Sequence, residues 1–317
     1  MKAVICTNYG LPEVLQIREV EKPTPGKNEI LVKIRATSVT SGDARIRRAD
    51  PFIIRLIFGF KKPRRSILGI VVAGEIETVG KEVSQFKPGD QVFGTTGMAF
   101  GTYAEYVCVA EDGVLALKPK DMTYEEAAAI PFGATASLHF LRKAKIKKGH
   151  KVLIYGASGA LGTAAIQLAK YYGAEVTAVC STSNLEMVLK LGADKVIDYT
   201  KKDFTKNGER YDIIYDTVGK SSYSESLKSL NKNGTMLLAN AGLSSTIKGL
   251  LTSLLGGKNV IAGIIKETAA DMNIIKELID SGHLKAVIDK SLPLEQISHA
   301  HTLVDGGHKK GNVVITI

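Results

Sequence analysis

Hydrophobic and polar positions follow two different rhythms along this chain. Through the first third the period is two. Glu29–Ala36 reads EILVKIRA, charged and apolar in turn, the pattern of a half-buried strand. Gly69–Val79 (GIVVAGEIETV) is β-branched, and its glycines predict a bend or bulge. Phe86–Gly89 (FKPG) predicts a turn ahead of a strand over Asp90–Phe93, and Tyr103–Val109 (YAEYVCV) predicts another strand. Short strands broken by Gly and Pro turns predict a small barrel-like β domain.

Near Met122 the rhythm changes. Thr123–Ile130 opens like a capped helix, with Thr123 as N-cap and Glu126 three residues on. A longer helix is expected over Ala134–Lys143. Strand and helix then alternate: strands at Lys151–Tyr155, Glu175–Cys180, Lys195–Ile197, Tyr211–Tyr215 and Gly234–Leu238, with helices at Ala160–Tyr172 and Leu185–Leu191. This is the βαβ rhythm of an α/β fold, a doubly wound parallel sheet with helices on both faces. A helix near Ala270–Ser281 and a strand at Asn312–Ile317 close the sequence. The closing strand needs a partner and is expected to return to the first domain.

Composition narrows the picture. The chain has 317 residues, and at about 150 per domain two domains are expected. With 44% apolar residues there is material for a full core, so disorder across the whole chain is excluded. Cys6, Cys108 and Cys180 stand alone in sequence and cannot build a disulfide framework or a four-cysteine zinc site. The opening MKAVICTNYG lacks the basic and long apolar regions of a signal peptide, and no run of apolar residues is long enough for a membrane span. A reducing, cytoplasmic location is the expectation.

The strongest local signal is KVLIYGASGALGTAAIQLAKYYGAEVTAVC, residues 151–180. An apolar strand runs into Gly156, Ala157, Ser158, Gly159, Ala160, Leu161 and Gly162, and a helix and a second strand follow. The spacing is GxxGxxG. Gly156 and Gly159 can turn tightly and let backbone N–H groups approach a pyrophosphate, and Gly162 lets the helix pack close to the sheet. The helix start supplies unpaired N–H groups and partial positive charge for the phosphates. The second strand ends at Cys180, and Ser181, Thr182, Ser183 and Asn184 follow it. An NAD site places an Asp or Glu there for the ribose 2′-OH. Its absence, and the hydroxyl and amide donors in its place, favour NADPH, with NADH as the alternative.

These motifs are similar to those of the medium-chain dehydrogenase/reductase superfamily, and within it of the zinc-independent quinone oxidoreductase branch. The resemblance rests on ATSVTSGD (36–43), VAGEIETVGKEVSQFKPGDQVFG (72–94), GTYAEYV (101–107), EEAAAIPFGATAS (125–137) and the 151–180 block. LGADKVIDY (191–199), YDIIYDTVG (211–219) and SHAHTLVDGGHKKGNVVI (298–315) extend it to the C-terminus. It implies a GroES-like β-barrel catalytic domain over 1–122, completed by 266–317, and a Rossmann dinucleotide-binding domain over 123–265. Ligands are expected in the cleft between domains.

Zinc-dependent members of the superfamily carry ligands near Thr40, near Ile70-Val71 and near Phe132-Gly133, and no Cys or His stands at these positions. His299 and His301 alternate, do not share a helix face, and read as surface or packing residues rather than ligands. Without a metal, a reductase must set the nicotinamide close to an electron-poor acceptor, and quinones and activated enones suit this best. The resemblance implies catalytic positions at Thr40, where relatives have an Asn, and at Asp43. It implies cofactor contacts at Thr135, Tyr199, Asn240 and Gly242, with Gly263-Ile264-Ile265 beside the nicotinamide. Asp212 and Asp216 read as turn caps rather than acids. A homodimer is implied by the family alone.

The expected function is hydride transfer from NAD(P)H to a small quinone or enone. A zinc-free alcohol or aldehyde oxidoreductase and a non-catalytic NADPH-binding protein are the alternatives. One segment stands outside this reading. Residues 45–65 (RIRRADPFIIRLIFGFKKPRR) hold eight Lys or Arg against Asp50 alone, most of the chain's formal net charge of +10. Three readings compete for it: a lid over the substrate cleft, a solvated basic loop with an apolar anchor, and contact with an anionic membrane surface or nucleic acid. No nucleic-acid recognition motif accompanies it, and nucleic acid is not an expected partner.

Overall fold

A computed structural model of the chain describes residues 1–240, 249, 252, 257–263 and 265–317. It divides into two units, Met1–Phe132 with Thr268–Ile317, and Gly133–Glu267.

In the first unit β1 (Lys2–Cys6) and β2 (Leu15–Glu19) form an antiparallel pair. β3 (Glu29–Val39) leads into the helices α1 (Ser41–Arg48) and α2 (Ile54–Phe58), then β4 (Val71–Val79), β5 (Gln91–Thr95), β6 (Tyr106–Ala110) and β7 (Val114–Leu117). Helix α3 (Tyr124–Ala128) opens on the expected capping box, Thr123 with Glu126. β4 begins two residues later than the sequence pattern suggests. Gly69 has φ 87°, and a Cβ there would sit 2.4 Å from Thr102 Oγ1 and 2.5 Å from the Tyr103 ring, so the chain turns before it extends. The Tyr103–Val109 expectation is likewise shortened: β6 starts at Tyr106, and the preceding Ala104 makes only an isolated bridge to Ala3.

The second unit begins within α4 (Pro131–Lys143) and continues through β8 (Lys151–Tyr155), α5 (Ala160–Tyr171), β9 (Glu175–Cys180), α6 (Leu185–Lys190), β10 (Lys195–Asp198), β11 (Tyr211–Asp216), α7 (Tyr223–Lys228), β12 (Leu230–Leu238) and β13 (Asn259–Ala262). Among the described residues these strands form one parallel six-stranded sheet in the order β10-β9-β8-β11-β12-β13. The order grows outward from β8 and then crosses to its other side at β11, the doubly wound arrangement. β12 starts four residues earlier than expected, because the turn-like Asn231–Gly234 is absorbed as a bulge opposite β11, with Asn233 at φ 66°.

The chain then returns to the first unit with the helix Ala269–Asp280, β14 (Ile288–Pro293), the helix Ile297–Gly306 and β15 (Asn312–Thr316). β15 pairs antiparallel with β3, matching Val313 to Val39, and parallel with β14. Val39, Leu68, Tyr103, Ile297, Ala300 and Val313 share one core there, while Leu153, Val179, Ile214 and Met236 anchor the core under the parallel sheet. Among the described residues no helix is long and apolar enough to cross a membrane.

Candidate active site

In a doubly wound sheet, ligands sit at the carboxyl ends of the strands where the order reverses. Here that point lies between β8 and β11, and the glycine turn occupies it. Gly156 follows β8 with φ 80°, and a Cβ there would meet Thr217 Oγ1 at 2.6 Å and Val218 at 2.7 Å, on the loop after β11. A Cβ on Gly162 would meet the Gly156 carbonyl at 2.3 Å and the Ala157 backbone at 2.6 Å. These two glycines allow backbone to lie against backbone.

Gly159 differs. Its φ of −81° and ψ of 178° suit any residue, and the nearest atom to a Cβ there is 3.6 Å away. Among the described residues, nothing requires glycine at this position. Gly159 is the N-cap of α5 and offers no side chain to cap it. Among the described residues, no group accepts a hydrogen bond from the N–H of Ala160, Leu161 or Gly162. Three orphan N–H groups at a helix start are an anion site when open space lies in front of them. The turn therefore fits a pyrophosphate, with Ser158 at its half-exposed rim.

Helix α4 packs against this turn. A Cβ on Gly133 would sit 2.3 Å from the Ala160 carbonyl, and Ser137 Oγ donates to the Leu161 carbonyl at 3.0 Å. Thr135 lies on the same helix, buried, with its hydroxyl donating to the Glu267 carboxylate. Glu267 has no sequence motif to mark it.

At the end of β9 the polar run is organised rather than loose. Asn184 Nδ2 donates to Ser181 Oγ at 3.1 Å, and Ser181 and Ser183 hydroxyls are 3.4 Å apart. Thr182 Oγ1 donates to the Asp198 carboxylate. A carboxylate does stand beside this run: Asp198 ends β10, in register with Cys180 on β9. It also accepts from Thr200 Oγ1 at 2.7 Å and Thr200 N at 3.0 Å, and Lys201 Nζ lies 3.8 Å away. The Thr182 and Thr200 hydroxyls hold its carboxyl below the usual range. Tyr199, between these residues, is half exposed, with its ring 6.5 Å from that of Tyr155. Asp198 escapes a reading by spacing because strand pairing, not sequence distance, brings it to Thr182, and Lys201 follows as its ion-pair partner.

On the other side of β8, Asp216 caps its own loop. It accepts from the N–H groups of Val218, Gly219 and Ser221 at 2.7–3.0 Å, and from the Ser221 hydroxyl. Asp212 takes Lys151 N and Asn231 Nδ2, both at 2.8 Å. Asp216 caps a turn, whereas Asp212, within β11, instead links the start of β8 to Asn231 on β12. Asn240 is exposed just past β12 and donates to the Val218 carbonyl at 3.2 Å. Gly242 and Ile264 lie outside the described residues; Gly263, with φ 124°, follows β13.

In the first unit Thr40 and Asp43 meet as the two halves of a capping box on α1. Thr40 Oγ1 accepts from Asp43 N at 3.1 Å and donates to Asp43 Oδ2 at 2.7 Å, and Thr40 N donates to the same oxygen at 2.9 Å. Both side chains are buried. Burial pushes the Asp43 carboxyl up to about 6, against the pull of the Thr40 hydrogen bonds. Beyond them, Arg47 is fully buried and bridges three partners: Gly10 carbonyl at 2.6 Å, His301 Nδ1 at 3.2 Å and the Asp305 carboxylate. His301 is driven down to about 3 by burial, with the charges of Arg47 and Arg48 adding to the effect, and is a neutral acceptor. It is a packing residue, while His299 on the same helix is exposed.

A catalytic zinc ion takes three protein donors. Thr40, Ile70, Val71, Phe132 and Gly133 do not supply them, and among the described residues no group of three His, Cys, Asp or Glu side chains could hold a metal. The donor set does not fit zinc.

Residues 26–119 match the family model of the alcohol dehydrogenase GroES-like domain, and residues 191–315 match that of the zinc-binding dehydrogenases. The 2-methylene-furan-3-one reductase of Solanum lycopersicum is 32% identical over 99% of this chain and 79% of its own length. The quinone oxidoreductase from Coxiella burnetii superposes with a TM-score of 0.92 at 27% identity, over 100% of this chain and 99% of its own. The Escherichia coli quinone oxidoreductase, solved as a complex with NADPH, gives 0.84 at 25% identity, with both chains fully covered.

Proposed function

The chain belongs to the medium-chain dehydrogenase/reductase superfamily, in its quinone oxidoreductase-like branch, and from that premise we propose an NAD(P)H-dependent oxidoreductase that reduces a quinone or an α,β-unsaturated carbonyl. The observation that carries the reading is the uncapped start of α5 at Gly159, at the reversal point of the parallel sheet. The N–H groups of Ala160, Leu161 and Gly162 hold the pyrophosphate. Ser181, Thr182, Ser183, Asn184 and Tyr199 receive the adenosine ribose and its 2′-phosphate. Thr135 and Asn240 complete the cofactor contacts. When bound, the nicotinamide supplies hydride, and the protein supplies position.

Thr40 is the residue nearest to a reaction role in the first unit, and its bonding limits that role. A threonine hydroxyl has one proton and two lone pairs. The proton is given to Asp43 and one lone pair accepts from Asp43 N, so one lone pair remains. Thr40 thus acts as an acceptor that orients a carboxamide or substrate donor, with Asp43 fixing its rotamer. The proton needed after hydride transfer comes from solvent. A metal-free mechanism is part of the proposal, supported by the donor set above, and so are a cytoplasmic setting and a homodimer. The three free cysteines are consistent with a reducing compartment.

The test is NADPH oxidation with a quinone, an enone and a simple aldehyde as separate acceptors, before and after chelation, with elemental analysis of protein purified without chelator. Turnover with the quinone or enone, unaffected by chelation and without stoichiometric zinc, is expected. Tight NADPH binding with no turnover on any acceptor would mark a binding protein instead, and one zinc per chain needed for turnover would overturn the metal-free mechanism.

A further inference from the structure

Phe52, Ile53, Leu56, Ile57 and Phe60 fall within nine consecutive residues, and each is between 51% and 65% exposed. Large apolar side chains clustered at this exposure mark an interaction surface rather than ordinary surface scatter. The segment is not a loose end. Ile54 is buried and Phe58, one helical turn on, packs edge-on against Phe100 at 5.6 Å between ring centroids. Tyr9 donates its hydroxyl to the Gly59 carbonyl at 2.7 Å, and the Phe52 and Phe60 rings meet edge-on at 6.4 Å. With Ile54 and Phe58 turned inward, the neighbours at 53 and 56 are carried to the opposite side of the short helix, and Ile57 lies at the edge between, 58% exposed and also lining the cavity beside Phe58.

Cations surround this apolar tip. Lys61, Lys62, Arg64 and Arg65 are exposed immediately after it, and Arg55 lies over the Tyr9 and Phe52 rings at 4.8 and 5.6 Å. Arg47 and Arg48 are already engaged by Asp305, and Asp50 is the one acid in the run. The outward charge is therefore strongly positive where the outward apolar surface is largest.

The candidate occupants differ in what they can satisfy. A cavity of about 200 Å³ lies behind the segment, but Phe52, Ile53, Leu56 and Phe60 do not line it, so closing that cavity does not account for them. A second copy placed on this face by a two-fold axis would set like charges against each other. A nucleic acid would meet the cations but offers no apolar phase to Ile53, Leu56 and Ile57. An anionic bilayer meets both needs, with headgroup charge for the cations and the acyl boundary for the apolar side chains. We propose that residues 52–65 form a docking surface by which the protein rests on an anionic lipid membrane without spanning it. The proposal goes beyond the catalytic reading and concerns binding alone.

The experiment is flotation of the full chain with vesicles of phosphatidylcholine alone or mixed with phosphatidylserine, at low and high salt. The wild type is expected to float with the mixed vesicles, to be released by salt and to ignore phosphatidylcholine alone. The triple variant Leu56→Ser, Ile57→Ser, Phe60→Ser should weaken binding by about tenfold or more, and Lys61→Gln with Lys62→Gln by several-fold, because such anchoring scales with apolar area plus charge. All three side chains of the triple variant are exposed, so its circular dichroism melt should match the wild type and separate lost docking from lost fold. Failure of the wild type to float overturns the proposal, as does equal flotation of the triple variant. Dissociation of a lipid-free dimer by the same variant would assign the face to a second copy. Tight binding of a single-stranded oligonucleotide that the triple variant retains would assign the cations to nucleic acid. Either result counts against the membrane.

Discussion

Helices α1 and α5 both start near a residue proposed for function, and they treat their first N–H groups in opposite ways. α1 is closed from within: Thr40 and Asp43 cap each other, and a buried carboxylate supplies the negative charge that a helix start favours. α5 is left open: Gly159 caps nothing, and the space where a Cβ would project is clear. A helix start that consumes its own donors is architecture. One that leaves them exposed beside two sterically required glycines is prepared for an anion from outside. The difference separates a residue's motif from its availability, and it supports the proposed place of the cofactor's phosphates at the start of α5.

The strongest break in this comparison is Gly159→Val. The apo protein should fold normally, since the backbone angles suit valine and no atom lies within 3.6 Å of the new Cβ. Cofactor affinity should fall by roughly 100-fold or more, the loss of about two charge-assisted hydrogen bonds to phosphate. Isothermal titration with NADPH is the measurement, and unchanged affinity would remove the phosphates from this turn. Gly162→Val should do the reverse. Its Cβ would strike backbone at 2.3 and 2.6 Å, so the apo fold itself should lose about 3 kcal/mol by urea denaturation. A Gly162→Val protein as stable as the wild type would show that the turn is looser than this packing implies.

Asp43 probes the closed helix. Its carboxyl titrates near 6 when folded and near 3.9 when unfolded. The folded state therefore holds the proton more tightly. The stability linked to this group is complete below about pH 4 and is lost as pH rises from there through about 6, a change of about 3 kcal/mol in all. Asp43→Asn cannot titrate and should lack that component. Denaturation of both proteins at pH 4 and pH 7 gives the difference directly, and parallel profiles would mean that the carboxyl is not buried as described.

The two helix starts were also unequally legible from sequence. The open one stood out because an apolar strand, three glycines and a small-residue helix follow without interruption over 151–171. The closed one obeys the same capping rule that identifies α3 at Thr123 and Glu126. After Thr40, however, the helix reads SGDARIRR, with few apolar positions, and so gives no helical period to recognise. β2 leaves no pattern in the sequence for a similar reason: four of its five residues are exposed, so burial imposes no alternation on it. Contacts made by sheet register or by returning chain have no local signal at all. Arg47 meets His301 and Asp305 across more than 250 residues, and Asp198 reaches Thr182 only because β10 lies beside β9.

That last contact sets the smallest and sharpest test, at the far end of the open site. The sequence around 181–184 offers hydroxyls and an amide but no acid, which favours a 2′-phosphate. The structure adds an acid, Asp198, and a cation, Lys201, on the next strand end. Asp198 is engaged by the Thr182 and Thr200 hydroxyls and the Thr200 N–H, so its capacity to take a ribose 2′-OH is largely used. Lys201 is two-thirds exposed and free to swing toward an incoming phosphate. NADPH should therefore bind more tightly than NADH, by less than about 100-fold, since the donors at hand are mostly neutral. Lys201→Ala should cut NADPH affinity by roughly fivefold, the scale of an exposed charge pair, and leave NADH unchanged. Titrations of both cofactors at one salt concentration measure both effects. If NADH bound tenfold better than NADPH, Asp198 would be the ribose-reading carboxylate after all. Asp198→Asn should then erase the NADH preference, and the polar run at 181–184 would be reduced to holding that acid in place.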